Sequence, residues 1–181
     1  MKIEKDRLED LKSYNIMDTS TEEELDELVE IASLICDTPV SLITLIDENR
    51  QWFKANKGLA SLQTLREDSF CQHTLHNPKD VLVINDSLND DRVKNSPMVK
   101  GQPNIRFYAG APLETPDGNV LGTLCIIDYK PRTITKNQEK VLKILSKKVM
   151  DYLNLRRELQ NQKKTIELNI ETNHWSRFLI H

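Results

Sequence analysis

The segment FCQHTL, from Phe70 to Leu75, contains the residues best placed to do chemistry. A capping residue just before it predicts a short helix, so Cys71 is expected near a helix N-terminus, where backbone donors favour a thiolate. His73 does not share a helical face with Cys71, although His76 does with His73. The pattern therefore indicates either a reactive thiol or an inward-packed Cys71, with His73 hydrogen-bonded to a loop backbone.

A metal site is a weaker interpretation of the same segment. Cys71, His73 and His76 supply at most three ligands within one turn, and no second cluster of ligands follows. The other two cysteines, Cys36 and Cys125, lie in apolar runs and are expected to pack as small buried hydrophobes. An odd number of cysteines without a CxxC pair favours a reducing compartment over a disulfide framework. The residues predict no metal and identify no cofactor.

Two apolar runs between Ile105 and Asp128 predict a β-hairpin. The sequence Pro116-Asp117-Gly118 between them favours chain reversal. Gly110 and Gly122 interrupt the two strands, and a glycine within a strand is typical of close approach by another backbone or by a ligand.

Upstream segments predict the elements that would position these residues. Apolar residues at helical spacing follow Ser20, where STEE matches a capping box. Short apolar runs predict strands at Val40–Ile46, Gln51–Ala55 and Val81–Ile84. The segment Asn85–Gln102 is polar and proline-containing, which predicts a long loop of the kind that often carries function.

A long helix is predicted from Thr135, where TKNQ forms a second capping box. Apolar and basic residues recur in steps of three and four over about four heptads, which favours a parallel coiled-coil dimer. A single helix packed on its own domain explains the first part of this pattern equally well. The pattern consists of Leu142, Leu145, Val149, Tyr152, Arg156, Leu159, Lys163, Ile166 and Ile170. The apolar tail at 174–181 suggests a dimer contact or the start of a further module.

Composition and charge exclude some classes of protein. Residues 1–139 contain 16 basic and 24 acidic side chains, and such an acidic part argues against a nucleic-acid-binding surface. No apolar run reaches the roughly 18 residues that a membrane span needs. The first twelve residues lack the apolar core of a signal peptide, so the expected compartment is the cytoplasm.

Four ordered blocks of this sequence together resemble the GAF domain, a small sensory and regulatory module of bacterial signalling proteins. The blocks are PVSLITLIDENRQWFKANKGL, REDSFCQHTL, VLVINDSLNDDRVKNSPMV and IRFYAGAPLETPDGNVLGTLCIID. The resemblance implies an α+β fold, with a mainly antiparallel sheet of five or six strands flanked by helices and a long C-terminal helix. It implies a GAF domain over 1–155, a signalling helix over 135–173 that overlaps its end, and a tail over 174–181.

The resemblance also implies a small-molecule pocket between the sheet and its covering loops. Aromatic walls with a few convergent polar groups are typical of such sites. The alternative is that these aromatic residues simply fill the core. The residues implied are Trp52, Phe53, Phe70, Cys71, His73, Asp86, Arg92, Arg106, Phe107, Tyr108 and Cys125.

Specialised functions of related domains are not favoured. Gln72 separates Cys71 from His73, whereas bilin-binding relatives often place the cysteine directly before the histidine. The segment Asn85–Arg92 does not reproduce the Asn-Lys…Phe…Asp-Glu pattern of cyclic-nucleotide-binding relatives. Free methionine sulfoxide reductases use cysteines in pocket loops, but Asn95–Asn104 contains no partner for Cys71. Phosphate-binding loops, nucleophile elbows and HExxH motifs are also missing from the sequence.

The sequence therefore predicts a non-catalytic sensory module that binds a small ligand and relays its state to a homodimeric C-terminal helix. A kinase or cyclase output module is a possible partner, whereas nucleic acid and membrane are not expected partners. Two alternatives stay open: a thiol-dependent reductase or peroxidase centred on Cys71, and a purely structural dimerisation unit.

Overall fold

The computed structural model describes residues 2–75, 77 and 79–178, with side chains described within 3–172. His76 and the side chains of the tail at 174–181 lie outside the described residues. The helices are α1 (Lys2–Ser13), α2 (Glu23–Cys36), α3 (Pro97–Lys100) and α4 (Lys136–Phe178). The strands are β1 (Val40–Ile46), β2 (Arg50–Lys57), β3 (Gln63–Leu65), β4 (Leu82–Ile84), β5 (Phe107–Glu114) and β6 (Val120–Asp128).

The six strands form one sheet in the order β3-β2-β1-β6-β5-β4, and every neighbouring pair is antiparallel. This arrangement confirms the predicted α+β fold and the predicted hairpin of β5 and β6. Helices α1, α2 and α4 pack on one face of the sheet, which we call the helix face. On the opposite face, which we call the covered face, lie two short helical segments, Phe70–Thr74 and α3, with the loops that join them.

Strand alternation assigns side chains to these two faces. In β1, Ile43 and Leu45 belong to the helix-face core, whereas Leu42 and Ile46 belong to the covered-face core. Because both faces are buried, β1 is apolar at almost every position, as its sequence predicts. The sheet is therefore the central layer of three.

Close approach of β1 to β6 depends on Gly122. A Cβ atom at this position would lie 1.8 Å from the carbonyl oxygen of Thr44, which is a backbone atom that cannot move aside. Gly122 pairs with Leu45 across the two strands. The glycine in this strand is thus explained by backbone approach, as the sequence pattern indicates.

The two predicted capping boxes have different outcomes. Thr135 and Gln138 cap α4 reciprocally, with Gln138 N donating to Thr135 Oγ1 at 3.2 Å and Thr135 N donating to Gln138 Oε1 at 3.0 Å. The box predicted after Ser20 is wrong, because α2 begins at Glu23 and the preceding Glu22 makes no capping bond through its side chain. The Glu22 carboxylate instead binds side chains from the sheet and from α4.

Helix α4 is 43 residues long and changes environment along its length. Its first half buries Leu142, Val149 and Leu153 against the helix face. Beyond Arg157, by contrast, the apolar side chains of Leu159 and Ile166 are exposed. Among the described residues, no helix is both long and apolar enough to cross a membrane.

Candidate functional site

The covered face brings together five of the residues predicted to form a pocket. All five are buried in one apolar cluster: Phe53, Phe70, Cys71, Tyr108 and Cys125. The ring of Phe70 packs edge-on against that of Tyr108, with centroids 5.6 Å apart. Phe70 and Cys71 belong to a short 3-10 helix, Phe70–Thr74, that lies across the middle of the sheet.

Trp52 and Phe107 lie on the other side of the sheet, which corrects their predicted place in the pocket. Both are buried in the helix-face core. The reason is the two-residue period of a strand: Trp52 precedes Phe53 and Phe107 precedes Tyr108, so each must point away from its neighbour. These two aromatic residues fill the core, as the alternative interpretation expected.

The polar residues of the predicted pocket bind the loops that cover the sheet. Asp86 accepts a hydrogen bond from the backbone N of Leu88 at 3.1 Å. Arg92 pairs with Asp90. The pKa of Asp90 is lowered mainly by this hydrogen bond from Arg92, and the charge of His73 lowers it further. Arg106 donates to the carbonyl oxygen of Val99 at 3.0 Å and to that of Ile105. Asp86, Arg92 and Arg106 therefore stabilise loop conformations.

The Cys71 sulfur is the centre of a buried polar cluster on the covered face. Thr123 Oγ1 donates to Cys71 Sγ at 3.0 Å, and Tyr108 Oη donates to the same sulfur at 3.2 Å. Thr44 Oγ1 lies 3.2 Å from Thr123 Oγ1 and extends the network to β1. Hydroxyl groups on three strands thus form one network around this thiol, and two of them donate to its sulfur directly.

Gly110 determines where the Tyr108 hydroxyl lies. A Cβ atom at Gly110 would be 2.1 Å from Tyr108 Oη and 2.6 Å from its Cζ, so the ring lies directly over this glycine. Positions 108 and 110 share a face of β5. The missing side chain therefore lets Tyr108 fold along its own strand and reach Cys71.

Cys125 supplies a second thiol to the same cluster. It pairs with Gly110 in the sheet and lies in the same buried cluster as Cys71. Burial alone would raise the pKa of Cys71, but hydrogen bonds to its sulfur, from Cys125 first and then from Thr123 and Tyr108, outweigh burial and lower that pKa. Burial raises the pKa of Cys125 well above its usual value, and its bond to Cys71 raises it further. The arrangement favours a Cys71 thiolate beside a Cys125 thiol.

The space beside the two thiols is small. A cavity of about 10 Å³ lies among Phe53, Phe70, Met98 and the two cysteines. That volume accommodates about one water molecule. The aromatic residues therefore pack against one another, and a larger ligand would have to displace the covering segments.

The sequence pattern did not reveal Thr44, Thr123 or the pairing of Cys71 with Cys125. The loop 95–104, where a methionine sulfoxide reductase would carry a partner for such a cysteine, contains none, whereas the structure places Cys125 of β6 in the same buried cluster as Cys71. The available signal was the spacing in GTLC, because Thr123 and Cys125 lie two residues apart and share a strand face. Only the packing of Phe70–Thr74 onto that face could identify Cys71 as their neighbour.

A second polar cluster joins the sheet to α4 on the helix face. The buried Lys54 ammonium binds Glu22 Oε1 at 2.8 Å, and Tyr152 Oη donates to Glu22 Oε2 at 2.5 Å. Arg156 Nε lies 3.2 Å from Glu22 Oε1 and its guanidinium also donates to the carbonyl oxygen of Tyr14. Burial raises the pKa of Glu22, but the bonds from Lys54 and Tyr152 outweigh burial and lower it. The Glu22 carboxylate therefore links β2 to α4.

The described residues contain no group of three His, Cys, Asp or Glu side chains that could hold a metal ion. A second thiol and the hydroxyls of Thr44, Tyr108 and Thr123 surround Cys71, and within the described residues its hydrogen-bond partners include no cation. The chemistry that this arrangement supports is thiol chemistry.

A curated relative matches part of this chain. It is a cyclic di-GMP phosphodiesterase of Pseudomonas aeruginosa, 43% identical over 117 residues, which are 65% of this chain and 20% of the relative. The chain thus spans about one fifth of that relative's length.

Solved structures share the fold at low sequence identity. The GAF domain of a phosphoenolpyruvate-protein phosphotransferase from Acinetobacter has a TM-score of 0.62 at 17% identity, with 87% of this chain and 97% of that chain covered. A free methionine-R-sulfoxide reductase from Neisseria meningitidis has a TM-score of 0.62 at 14% identity, with 86% and 91% covered. The PixJ GAF domain of Thermosynechococcus elongatus has a TM-score of 0.61 at 14% identity, with 89% and 93% covered.

The family model for the GAF domain matches residues 20–152. This range contains the whole sheet, the short helix that carries Cys71 and most of the docked half of α4. The predicted resemblance is thereby confirmed, and the chain belongs to the GAF domain family.

Proposed function

We propose that this chain is the sensory domain of a cytoplasmic signalling protein, with its input at the covered face and its output through α4. The observation that carries the proposal is the continuity of α4, whose first half packs on the sheet and whose second half extends beyond it as one helix. The identity to a cyclic di-GMP phosphodiesterase supports a signalling context, and the enzymatic activity of that relative is not assigned to this chain.

The input side of the proposal is a small ligand at the covered face. Phe70–Thr74 and α3 are short segments over an apolar sheet surface, so they can move without breaking the sheet. A ligand larger than water would displace Phe70 or Met98, because the cavity beside Cys71 is about 10 Å³. Such displacement changes the packing of Tyr108 and hence of β5, against which α4 also packs.

The output side is coupled to the sheet through Glu22. Lys54 lies in β2 at a bulge in its pairing with β1, so the position of its ammonium group depends on the local conformation of that strand. Tyr152 and Arg156 bind the same carboxylate from α4. A change in β2 thereby alters the docking of α4 without a separate linker.

The free half of α4 carries the surface for a second copy of the chain. At about 100° per residue, Leu155, Leu159, Ile166 and Ile170 fall within about 60° of one another around the helix. All four are exposed. The predicted seam is revised accordingly: Leu142, Leu145, Val149, Tyr152 and Arg156 face the domain itself, and the dimer stripe starts at Leu155.

The test combines oligomeric state with helix docking. Light scattering on the reduced protein is expected to give a dimer at tens of micromolar, and Leu159→Lys with Ile166→Lys is expected to give a monomer. Leu168→Lys is the matched control, because Leu168 is equally exposed but lies on another side of the helix. A monomeric wild-type protein, or equal effects of both variants, would overturn the dimer proposal.

Hydrogen exchange tests the relay separately. Glu22→Gln is expected to accelerate exchange of amides near 150–158, because it removes the charge that Lys54 and Arg156 share. Glu30→Gln is the control, since Glu30 is exposed and pairs only with Lys57 among its described partners. Unchanged protection of α4 in Glu22→Gln would contradict the relay.

A further inference from the structure

We infer that Cys71 and Cys125 form a reversible disulfide in response to a small peroxide, and that this oxidation is a signal received at the covered face. The inference rests on the proposed sensory function and names its input. The described residues place these two thiols in one buried cluster, where both line the same small cavity.

The cluster is arranged for attack by Cys71. Its sulfur accepts hydrogen bonds from Thr123 Oγ1 and Tyr108 Oη, both of which stabilise a thiolate. Burial and the neighbouring Cys71 sulfur both raise the pKa of Cys125, so the Cys125 thiol stays protonated. The two cysteines are therefore inequivalent, with Cys71 the nucleophile and Cys125 the resolving thiol.

The reaction balances without a cofactor. The Cys71 thiolate attacks one oxygen of hydrogen peroxide, the O–O bond breaks, and the second oxygen leaves as hydroxide, which takes a proton to become water. The Cys125 thiol then attacks the resulting sulfenic sulfur, and the S–O bond breaks as a second water leaves. Two thiols are oxidised to one disulfide and one peroxide is reduced to two waters, and a dithiol reductant reverses the change.

The cavity selects the oxidant by size. About 10 Å³ among Phe70, Met98 and the two cysteines admits a molecule close to water in size. Hydrogen peroxide is slightly larger than water, whereas a methionine sulfoxide or an organic hydroperoxide with a bulky group would first have to displace the covering segments. The site therefore favours hydrogen peroxide over larger substrates.

Oxidation changes the packing of the cover. A disulfide sulfur is a weaker acceptor than a thiolate, so Tyr108 and Thr123 lose a strong buried partner. Tyr108 packs against Phe70, and the new covalent bond joins the short helix Phe70–Thr74 to β6. The consequence is a change at the face where the proposed ligand site lies.

Cys36 provides an internal control within the same chain. It is buried at the end of α2 on the helix face, away from the other two cysteines. Burial raises the pKa of Cys36 to about 11, so this thiol is expected to react slowly. A general oxidation of buried cysteines would include Cys36, whereas the inferred reaction does not.

The test treats the reduced native protein with hydrogen peroxide at neutral pH, then alkylates it under denaturing conditions and measures the intact mass. The expected product has lost two hydrogen atoms, carries one alkyl group on Cys36, and yields a non-reduced peptide pair that joins Cys71 to Cys125. Dithiothreitol should restore three alkylated cysteines. Cys36→Ser should form the same disulfide, and Cys125→Ser should accumulate a sulfenic acid on Cys71, which dimedone traps when it is present during denaturation.

Three results would overturn the inference: disulfide formation only after unfolding, a bond that includes Cys36, or rates for Cys71 no higher than for Cys36. Because the reaction is measured on wild-type protein, it does not depend on the folding of a variant. Oligomeric state and the hydrogen exchange of α4 amides are measured on the reduced protein. If no disulfide forms but the protein is a dimer and Glu22→Gln changes the exchange of α4, only the disulfide inference is refuted. If the disulfide forms but the protein is a monomer and Glu22→Gln leaves the exchange of α4 unchanged, only the sensory function is refuted.

Discussion

The Tyr108 hydroxyl shows how one atom links local packing to reactivity. It donates to Cys71 Sγ at 3.2 Å only because Gly110 leaves room for the ring above β5. A hydrogen bond to a charged acceptor contributes about 1.5–3 kcal/mol. This single contact therefore favours the thiolate form of Cys71.

We expect Tyr108→Phe to slow the oxidation of Cys71 by hydrogen peroxide about tenfold at neutral pH, because losing this donor raises the pKa of the thiol. The rate is measured by quenched alkylation and mass spectrometry. Tyr129→Phe is the control, since Tyr129 is partly exposed and lies outside the cluster. An unchanged rate in Tyr108→Phe would show that Thr123 and Cys125 suffice.

Glu4 gives a prediction about pH and stability. Hydrogen bonding from Arg7, together with Arg66, lowers the pKa of Glu4 from 4.5 to about 2 despite partial burial. A carboxyl group with a lowered pKa stabilises the fold above its unfolded value, and that stabilisation disappears as the pH falls through the folded value. Glu4→Gln should therefore lower the free energy of unfolding at pH 7, and its difference from wild type should fade between about pH 4.5 and pH 2.

Chemical denaturation at several pH values measures this effect. Glu9→Gln is the control, because Glu9 forms only an exposed pair with Lys5 in α1 among its described contacts. A constant difference between Glu4→Gln and wild type down to pH 2 would contradict the assignment of the lowered pKa to Glu4.

At the scale of the elements, the contact between β1 and β6 is the least tolerant of change. A side chain at Gly122 meets the backbone of Thr44 at 1.8 Å, so the strands would have to separate. Gly122→Ala is expected to lower the free energy of unfolding by about 3 kcal/mol or to prevent folding. Thermal and chemical denaturation measure the change.

Gly118→Ala separates steric from conformational effects. Gly118 has φ +81° in the hairpin turn, and a Cβ atom there would meet nothing within 4 Å. The expected cost is about 1 kcal/mol, from the left-handed backbone conformation alone. Equal losses in Gly118→Ala and Gly122→Ala would refute the argument from close approach.

The elements were largely predictable from sequence, because their signals are local. Strand alternation, the hairpin turn and the Thr135 capping box each depend on residues close together in the chain, and the structure confirms them. The faces of Trp52 and Phe107 were missed although the alternation that decides them was visible. The neighbourhood of Cys71 and Cys125 was not predictable, since the two residues come from distant segments that meet only after the cover packs.

At the scale of the whole molecule, the two polar clusters lie on opposite faces of one sheet. The Cys71 cluster involves β1, β5 and β6, and the Glu22 cluster involves β2 and α4. Strand β1 pairs with both β2 and β6, so it connects the two clusters directly. In the proposed relay, a change on the covered face would reach the helix face through β1, without an opening of the core.

Because the backbone of α4 is unbroken, the proposed relay would transmit a change of angle rather than of distance. In a continuous helix, a rotation of the docked half about the helix axis also rotates the projecting half. One residue added to the projecting half, between 158 and 170, would swing everything after it by about 100°, whereas seven added residues return the original orientation to within about 20°. The orientation of any segment joined to α4 therefore depends on whether the number of inserted residues is a multiple of seven.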